Sequence, residues 1–443
     1  MKKLLTTIFL LSLFQPQVFS YDKKAKKELL KIKLPKEVVQ PLESTATYKS
    51  NLLNDITDAI SFEMKGKTVL MLPLIYSSKN LGPHWGLMPI MALGDSREGT
   101  VKSVIAPSYD YNSHLGDTFS YRHYLFPDEK SIFIFRGAYS ENIKRDFLLS
   151  YYTPNIFGEN MRLNAEVWKS ADPESFFYGY GPDSDDSDKA NYALYSTGGS
   201  FSVTTRFYES LYLDFTGSHY TGRIEKGVVE TPVEFKDRFP ADYAQSRDRK
   251  DFFTGKFSFI LDNTDHPFLP KVGNFLTFSM LVSREALGSD YSYTVYSFEG
   301  KRYFKPEGGK KEKYVTAVRY LLQWQTGEDQ PFYAQSVAGE STGLRMEGNG
   351  RYTGRGKFLF NIEERITVSR SPLLKFVSEL EISPFLDVGT VFEEVSDLDA
   401  EDLKFGPGVS FRVLLRPQVV ATAELAFGGS EGMNAIIKVG YPF

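Results

Sequence analysis

From residue 69 to residue 443, stretch after stretch of the chain alternates between apolar and polar residues with a period of two. In 313–325, Tyr314, Thr316, Val318, Tyr320, Leu322 and Trp324 share one side, and Lys313, Arg319, Gln323 and Gln325 the other. In 357–370, Phe358, Phe360, Ile362, Ile366 and Val368 alternate with Lys357, Asn361, Glu363, Arg365, Thr367 and Ser369. In 408–416, Val409, Phe411, Val413 and Leu415 alternate with Ser410, Arg412 and Arg416, and the last stretch sets Ala435, Ile437, Val439, Tyr441 and Phe443 opposite Asn434, Lys438 and Gly440. Successive side chains of a strand point to opposite faces, so each stretch predicts a strand with one apolar and one ionic face.

A soluble β-sandwich alternates in the same way, so the connections must decide. Sixteen candidate strands lie between residues 100 and 443. The connections at 127–130, 155–159, 206–208, 264–272, 305–312, 371–377 and 417 are short, whereas 171–190, 225–250, 326–356 and 393–404 are long. Short turns at one end and long loops at the other are the pattern of an outer-membrane barrel, with the short turns in the periplasm. Mean hydropathy of −0.30 is too polar for a bundle of membrane helices. The 27 Tyr and 36 Phe acquire a reason as the two interfacial girdles, placed near the strand ends. The predicted class is therefore all-β, a closed antiparallel transmembrane barrel of sixteen strands. Residues 69–78 and 84–95 read as a further hairpin about 79–83, which would make eighteen.

The N-terminal region reads differently. Lys2 and Lys3, the apolar run Leu4 to Phe14 and the sequence Val18-Phe19-Ser20 predict a secretory signal cleaved after Ser20. Residues 21–37 hold seven Lys against three acids, a solvated tail or a surface for anionic headgroups. Leu52, Leu53, Ile56, Ala59 and Ile60 predict a short amphipathic helix over 51–62. The expected domains are 1–20 (signal), 21–68 (basic segment, in the periplasm) and 69–443 (barrel).

Several chemistries are disfavoured. Net charge −4 gives no basic field for nucleic acid, and the absence of Cys removes disulfides and thiolate chemistry. Gly339-Glu340-Ser341-Thr342-Gly343 matches a hydrolase elbow, but all five His lie upstream of Ser341. His114 beside Ser113 and Asp117, or His219 at a strand end, would suit a rim hydrolase, yet no spacing singles out a triad. Asp183, Asp185, Asp186 and Asp188 crowd one outer loop, without the glycine and glutamate of a calcium loop. The expectation is no enzyme, no cofactor and no metal. On the inner face, Glu363 and Arg365 share one strand and Glu381 and Asp387 the next, which suits a lumen lined by mixed charge.

Several motifs resemble the bacterial surface antigen superfamily, the BamA/TamA-type outer-membrane assembly and translocation barrels. Asp262-Asn263-Thr264-Asp265-His266-Pro267-Phe268-Leu269-Pro270-Lys271-Val272-Gly273 is similar to that family's periplasmic turn D-x-R-D-x-x-x-x-P-x-x-G, in which Asp262, Asp265, Pro270 and Gly273 match and Thr264 replaces Arg. Gly339 to Arg345, with Gly350-Arg351-Tyr352, resembles its sixth outer loop, which folds into the lumen. Asn361-Ile362-Glu363-Glu364-Arg365 and Phe385-Leu386-Asp387-Val388-Gly389 resemble two of its strands. Gly440-Tyr441-Pro442-Phe443 is similar to its terminal insertion signal, read at Tyr441 and Phe443. The family's loop reads R-G-aromatic, whereas Met346 and Glu347 follow Arg345 here, and the 48 residues 21–68 leave no room for a complete periplasmic module.

The resemblance implies that Arg345 is locked by Asp387 or Glu363, with Arg365 on the same lumen face and Arg351 nearby as a second cation. It also implies insertion or translocation of client polypeptides, in a monomer that contacts outer-membrane lipids and lipopolysaccharide and is itself inserted by the barrel-assembly machinery. A passive or plugged channel is the alternative, and a rim hydrolase a weaker one.

Overall fold

A computed structural model describes residues 61–64, 67–95, 100–128, 130–156, 160–266, 269–305, 313–373, 376–415, 419–429, 432–439 and 441–443. The expected signal segment, the basic run 21–37 and residues 51–60 of the expected helix lie outside the described residues. Ser61 and Phe62, the last two residues assigned to that helix, belong instead to a strand.

The strands in chain order are β1 (Ser61–Met64), β2 (Lys67–Ser78), β3 (Gly82–Asp95), β4 (Thr100–Asn112), β5 (Gly116–Leu125), β6 (Ile132–Ser140) and β7 (Arg145–Ile156). There follow β8 (Met161–Phe177), β9 (Ala190–Tyr208), β10 (Leu211–Lys226), β11 (Lys250–Asp262), β12 (Gly273–Ser283), β13 (Tyr293–Phe304) and β14 (Tyr314–Gly327). The last are β15 (Ser336–Ala338), β16 (Tyr352–Gly354), β17 (Gly356–Leu373), β18 (Phe376–Phe392), β19 (Lys404–Leu415), β20 (Val419–Ala426) and β21 (Asn434–Val439). Each strand from β2 to β14, and then from β17 to β21, pairs antiparallel with its neighbour in sequence. These form an eighteen-stranded wall. The hairpin left open by the sequence is β2–β3, so the larger of the two counts holds. Paired strands β15 and β16 form a small separate sheet within the β14–β17 loop.

The alternation read from the sequence sets the two faces. On β17, Leu359, Asn361, Glu363 and Arg365 are buried inside the barrel while Phe358, Phe360 and Ile362 alternate with them. The outer face carries exposed Trp85, Phe119, Phe201, Phe215, Phe278 and Phe411. Phe215 and Phe257 sit opposite each other in the β10–β11 ladder with ring centroids 5.1 Å apart, well inside the strands. Aromatics thus cover mid-wall as well as the two ends, and such cross-strand pairs stabilise the sheet directly.

Closure differs from a fully laddered barrel. β21 lies alongside β2, yet the described residues form no ladder between them. The start of β2's free edge is covered by β1, which pairs Ser61 to Leu70 and Met64 to Lys67. A seam therefore runs between the first and last wall strands. Among the described residues, no ladder pairs the edge groups of these two strands as one does between every other pair of wall neighbours.

Candidate functional site

The β14–β17 loop, residues 328–355, enters the barrel. Its Ala338, Leu344, Met346 and Tyr352 are buried against Leu321, Leu359, Phe385, Val391 and Ala426 of the wall. Met346, which stands where the family motif has glycine, is fully buried and fits against Gly406, whose missing side chain leaves the space. Gly350 is required for close approach: it has φ +83° and a Cβ there would lie 2.3 Å from the Phe176 carbonyl oxygen.

At the tip of this loop the Arg345 guanidinium meets three carboxylates. Its Nε and Nη2 donate to Asp387 at 2.8 and 2.7 Å, and Nη1 donates to Glu363 at 2.7 Å and Glu424 at 3.0 Å. The Arg345 backbone N–H also donates to Asp387, at 3.0 Å, and the guanidinium lies 3.4 Å from the Phe385 ring centroid. Two further arginines complete the cluster. Arg412 donates to Glu363 at 2.8 Å and Glu381 at 2.9 Å, and Arg365 donates to the second oxygen of Glu363 at 3.2 Å. Three guanidinium groups and four carboxylates are thus interlaced, none of the seven residues more than 5% exposed. Burying an ion costs several kcal/mol, so such a set is tolerable only while its members pair one another. Bidentate guanidinium–carboxylate geometry adds direction to the attraction.

The chain's last described residues reach the same cluster. After Val439 the chain leaves the wall, and the alternation that put Tyr441 and Phe443 on the lipid side no longer applies. Pro442 cannot donate to a ladder. The Tyr441 hydroxyl donates to Glu381 at 3.1 Å, and Arg365 lies 3.9 Å from the centroid of its ring. Arg365 also donates to the Phe443 carbonyl oxygen at 3.3 Å, and Phe443 packs on Tyr303, Val315 and Ala317.

Beneath them lies the β11–β12 turn. Asp262 accepts from the Thr264 hydroxyl and N–H and pairs with Arg162 at 3.2 Å, while Asp265 accepts the N–H groups of Lys271 and Val272. Gly273, at φ +117°, passes so close to Asn263 that a Cβ would lie 2.5 Å from its carbonyl oxygen. Between Asp265 and Gly273, on either side of Pro270, Leu269 packs against Leu414 and Tyr441, and Lys271 reaches Glu379 at 3.5 Å. The motif residues thus shape a turn whose Leu269 and Lys271 reach β18, β19 and the segment 441–443.

Other expectations separate. Arg351 does not join Arg345. It pairs with Asp186 at 2.9 Å and lies over Tyr178 and Tyr352, pinning the loop to the β8–β9 connection. Asp188 pairs with Arg238, and the Ser187 N–H donates to Asp185 and holds its pKa below the usual carboxylate range. The aspartates are therefore spread among cationic and backbone partners, and no cluster of metal-ligand type occurs among the described residues. His219 bonds Asp251 at 2.9 Å, but the neighbouring Ser218 bonds Thr254 instead. Exposed Ser341 lies in a single 3-10 turn, with its N–H bonded to Asn349.

Arg412 and Glu424 were not singled out from the sequence. The period-two pattern places Arg412 on the inner face, but nothing in the sequence pairs it with a carboxylate on a neighbouring strand.

The family model described as the Omp85 superfamily domain matches residues 132–417. Among solved structures, BamA from Haemophilus ducreyi lacking POTRA domains 1-3 is similar at 15% identity, over 90% of this chain and 79% of that one, with a TM-score of 0.49. CdiB from Acinetobacter baumannii is similar at 8% identity, over 85% of this chain and 62% of that one, with a TM-score of 0.43. No curated protein matches the sequence. The family match covers well over half of the chain and runs from β6 to the end of β19, taking in the inward loop with Arg345, Glu363, Asp387 and Arg412. The chain therefore belongs to the Omp85 superfamily and is a bacterial outer-membrane β-barrel.

Proposed function

We propose that this barrel inserts polypeptides into the outer membrane or passes them across it, with the β2–β21 seam as its working edge. The observation that carries the reading is the seam itself. Among the described residues, two wall strands adjoin without a ladder, so their edge groups are available to an extended segment, which would add by backbone hydrogen bonding. Omp85 membership supports the same reading, as do the motifs that resemble assembly and translocation barrels. Fold alone does not fix function, so the proposal stands on the seam. On this reading the barrel acts as a monomer among lipids and lipopolysaccharide, is itself inserted by the barrel-assembly machinery, keeps its basic run 21–37 in the periplasm and carries out no enzymatic step.

A second reading has its own observation. The inward loop and its buried ion cluster fill part of the lumen, as they would in a sealed channel. Depletion of the protein followed by quantification of outer-membrane and secreted proteins separates the two. Selective loss of other barrels or of secreted proteins is the expected result. An unchanged profile would leave the sealed channel.

A further inference from the structure

We propose that the wall opposite the seam carries a binding site for a phosphorylated glycolipid of the outer leaflet, of the lipopolysaccharide type. Its acyl chains would lie on a glycine slot in β9–β11 and its phosphates on a rim of cations above the slot.

Counted from β2, β10 and β11 are the ninth and tenth of the eighteen wall strands, so they stand farthest from the seam. On their lipid face Gly217 and Gly255 sit opposite each other in the ladder, and Gly199 of β9 lies one step away, opposite His219. Glycine weakens a strand interior and often marks a place where a ligand approaches the backbone. Nothing within the fold requires it at Gly217 or Gly255. Neither has a positive φ, and a Cβ built on either meets nothing within 4 Å. The bare backbone is therefore uncovered even by the neighbouring rings.

Those rings frame a slot. The His219 ring stacks on Phe253 at 4.0 Å on its outer side, and Phe215 and Phe257 lie 5.1 Å apart on its inner side. The two ring pairs are four residues apart along the strands, about 13 Å, which leaves room for acyl chains between them. At its outer end the slot continues into a groove of about 510 Å³ lined by Val167, Thr197, Gly199, His219, Thr221 and Arg249.

The cations stand around this groove. Register places Lys169, Thr197, Thr221 and Asp251 in one row across β8–β11, and Arg145, Ala171, Tyr195 and Arg223 in the next row outward across β7–β10. Arg249 donates to Asp251 at 3.0 and 3.2 Å, and Arg223 pairs with Glu225. Arg145 lies over the Tyr139 ring and donates to the carbonyl oxygens of Ser140 and Lys144, and Lys169 is exposed. Among the described residues, neither Arg145 nor Lys169 pairs with a carboxylate, so two positive charges face the leaflet without an acid to answer them. From β7 to β11 the rim spans four strand spacings, about 19 Å at roughly 4.8 Å each. That is wider than a single phosphodiester headgroup and suits a sugar headgroup carrying more than one phosphate.

The test uses the purified full chain in detergent with no client polypeptide present, so its outcome is independent of the client-handling proposal. Native mass spectrometry measures binding of bisphosphorylated lipid A, with dephosphorylated lipid A, phosphatidylglycerol and inorganic phosphate as comparison probes. Bisphosphorylated lipid A should bind most tightly. Arg145→Gln combined with Lys169→Gln should weaken it roughly thirtyfold, taking about fivefold for each basic residue at an anionic lipid surface. Gly217→Leu, which adds a side chain where the structure has open space, should weaken it roughly tenfold, the scale of about two buried methylenes, with the denaturation midpoint kept. Should that variant fail to fold, Gly255→Leu fills the slot from the facing strand. Unchanged binding in either the charge variant or the slot variant would overturn the site. So would phosphatidylglycerol or dephosphorylated lipid A binding as tightly as the bisphosphorylated form, or inorganic phosphate displacing it.

Discussion

Replacing Asp387 with asparagine keeps the shape of the side chain and removes the carboxylate that Arg345 uses most. Asp387 accepts three hydrogen bonds from Arg345, at 3.0, 2.8 and 2.7 Å, and one from Asn361 at 2.8 Å. On an exposed surface such a pair would contribute roughly 0–1 kcal/mol. Both partners are almost fully buried here, at 0% and 1% exposure, so the relevant figure is the cost of breaking a buried pair, about 3–5 kcal/mol. The asparagine amide adds to it by presenting a donor to the donors of Arg345. Because the loop can open without unfolding the wall, the cost should appear mainly in loop opening. At about 1.4 kcal/mol per tenfold, opening should rise by roughly a hundred- to several-thousandfold. Hydrogen exchange over residues 336–352, with the ladders of β5 to β12 as internal reference, reads this directly. Arg345→Ala combined with Asp387→Asn should cost less than the two single changes added together, because the same contact is lost in each. A rise of less than about tenfold, or equal acceleration throughout the wall, would refute the assignment of Arg345 and Asp387 as the loop's anchor.

Three further outcomes are expected. Gly273→Ala forces a side chain onto Asn263 in a left-handed conformation and should lower unfolding stability by roughly 1–3 kcal/mol, with an unchanged denaturation midpoint as the contrary result. Phe443→Ala removes a ring packed on Tyr303, Val315 and Ala317, a loss of about 1.5–3 kcal/mol, and should reduce barrel levels in the membrane by more than that loss explains if the residue is also an insertion signal; normal levels would speak against the signal. A cysteine replacing exposed Glu230 in the β10–β11 loop should label in intact cells, whereas one replacing Glu209 in the two-residue β9–β10 connection should label only after the outer membrane is opened, and the reverse pattern would invert the topology.

Much of the wall was legible because period-two alternation is a local signal repeated in every strand. The sixteen stretches between 100 and 443 each correspond to a wall strand, and the ambiguous hairpin 69–78 and 84–95 forms β2 and β3. Alternation says nothing about which strands share a ladder, so the seam was invisible. It also misplaced Tyr441 and Phe443, because their spacing continues β21 even though the chain turns inward after Val439. Inner-face charges were legible one strand at a time. Glu363, Arg365, Glu381 and Asp387 stand out, but Glu424 lies on β20 and meets Arg345 only through barrel curvature and loop insertion. Arg351 shows the converse: the family resemblance implied a second cation beside Arg345, and the loop's path sends it to Asp186 instead.

The central claim is that polypeptide handling requires the seam between β2 and β21 to part. The most direct measurement places one cysteine in each of these strands, in a chain that otherwise has none, and compares the outer-membrane and secreted proteomes of cells with the seam disulfide formed and then reduced. The account predicts a selective loss of outer-membrane or secreted proteins while the seam is tethered, and recovery on reduction. Identical proteomes in the two states, with the disulfide shown to have formed, would contradict it.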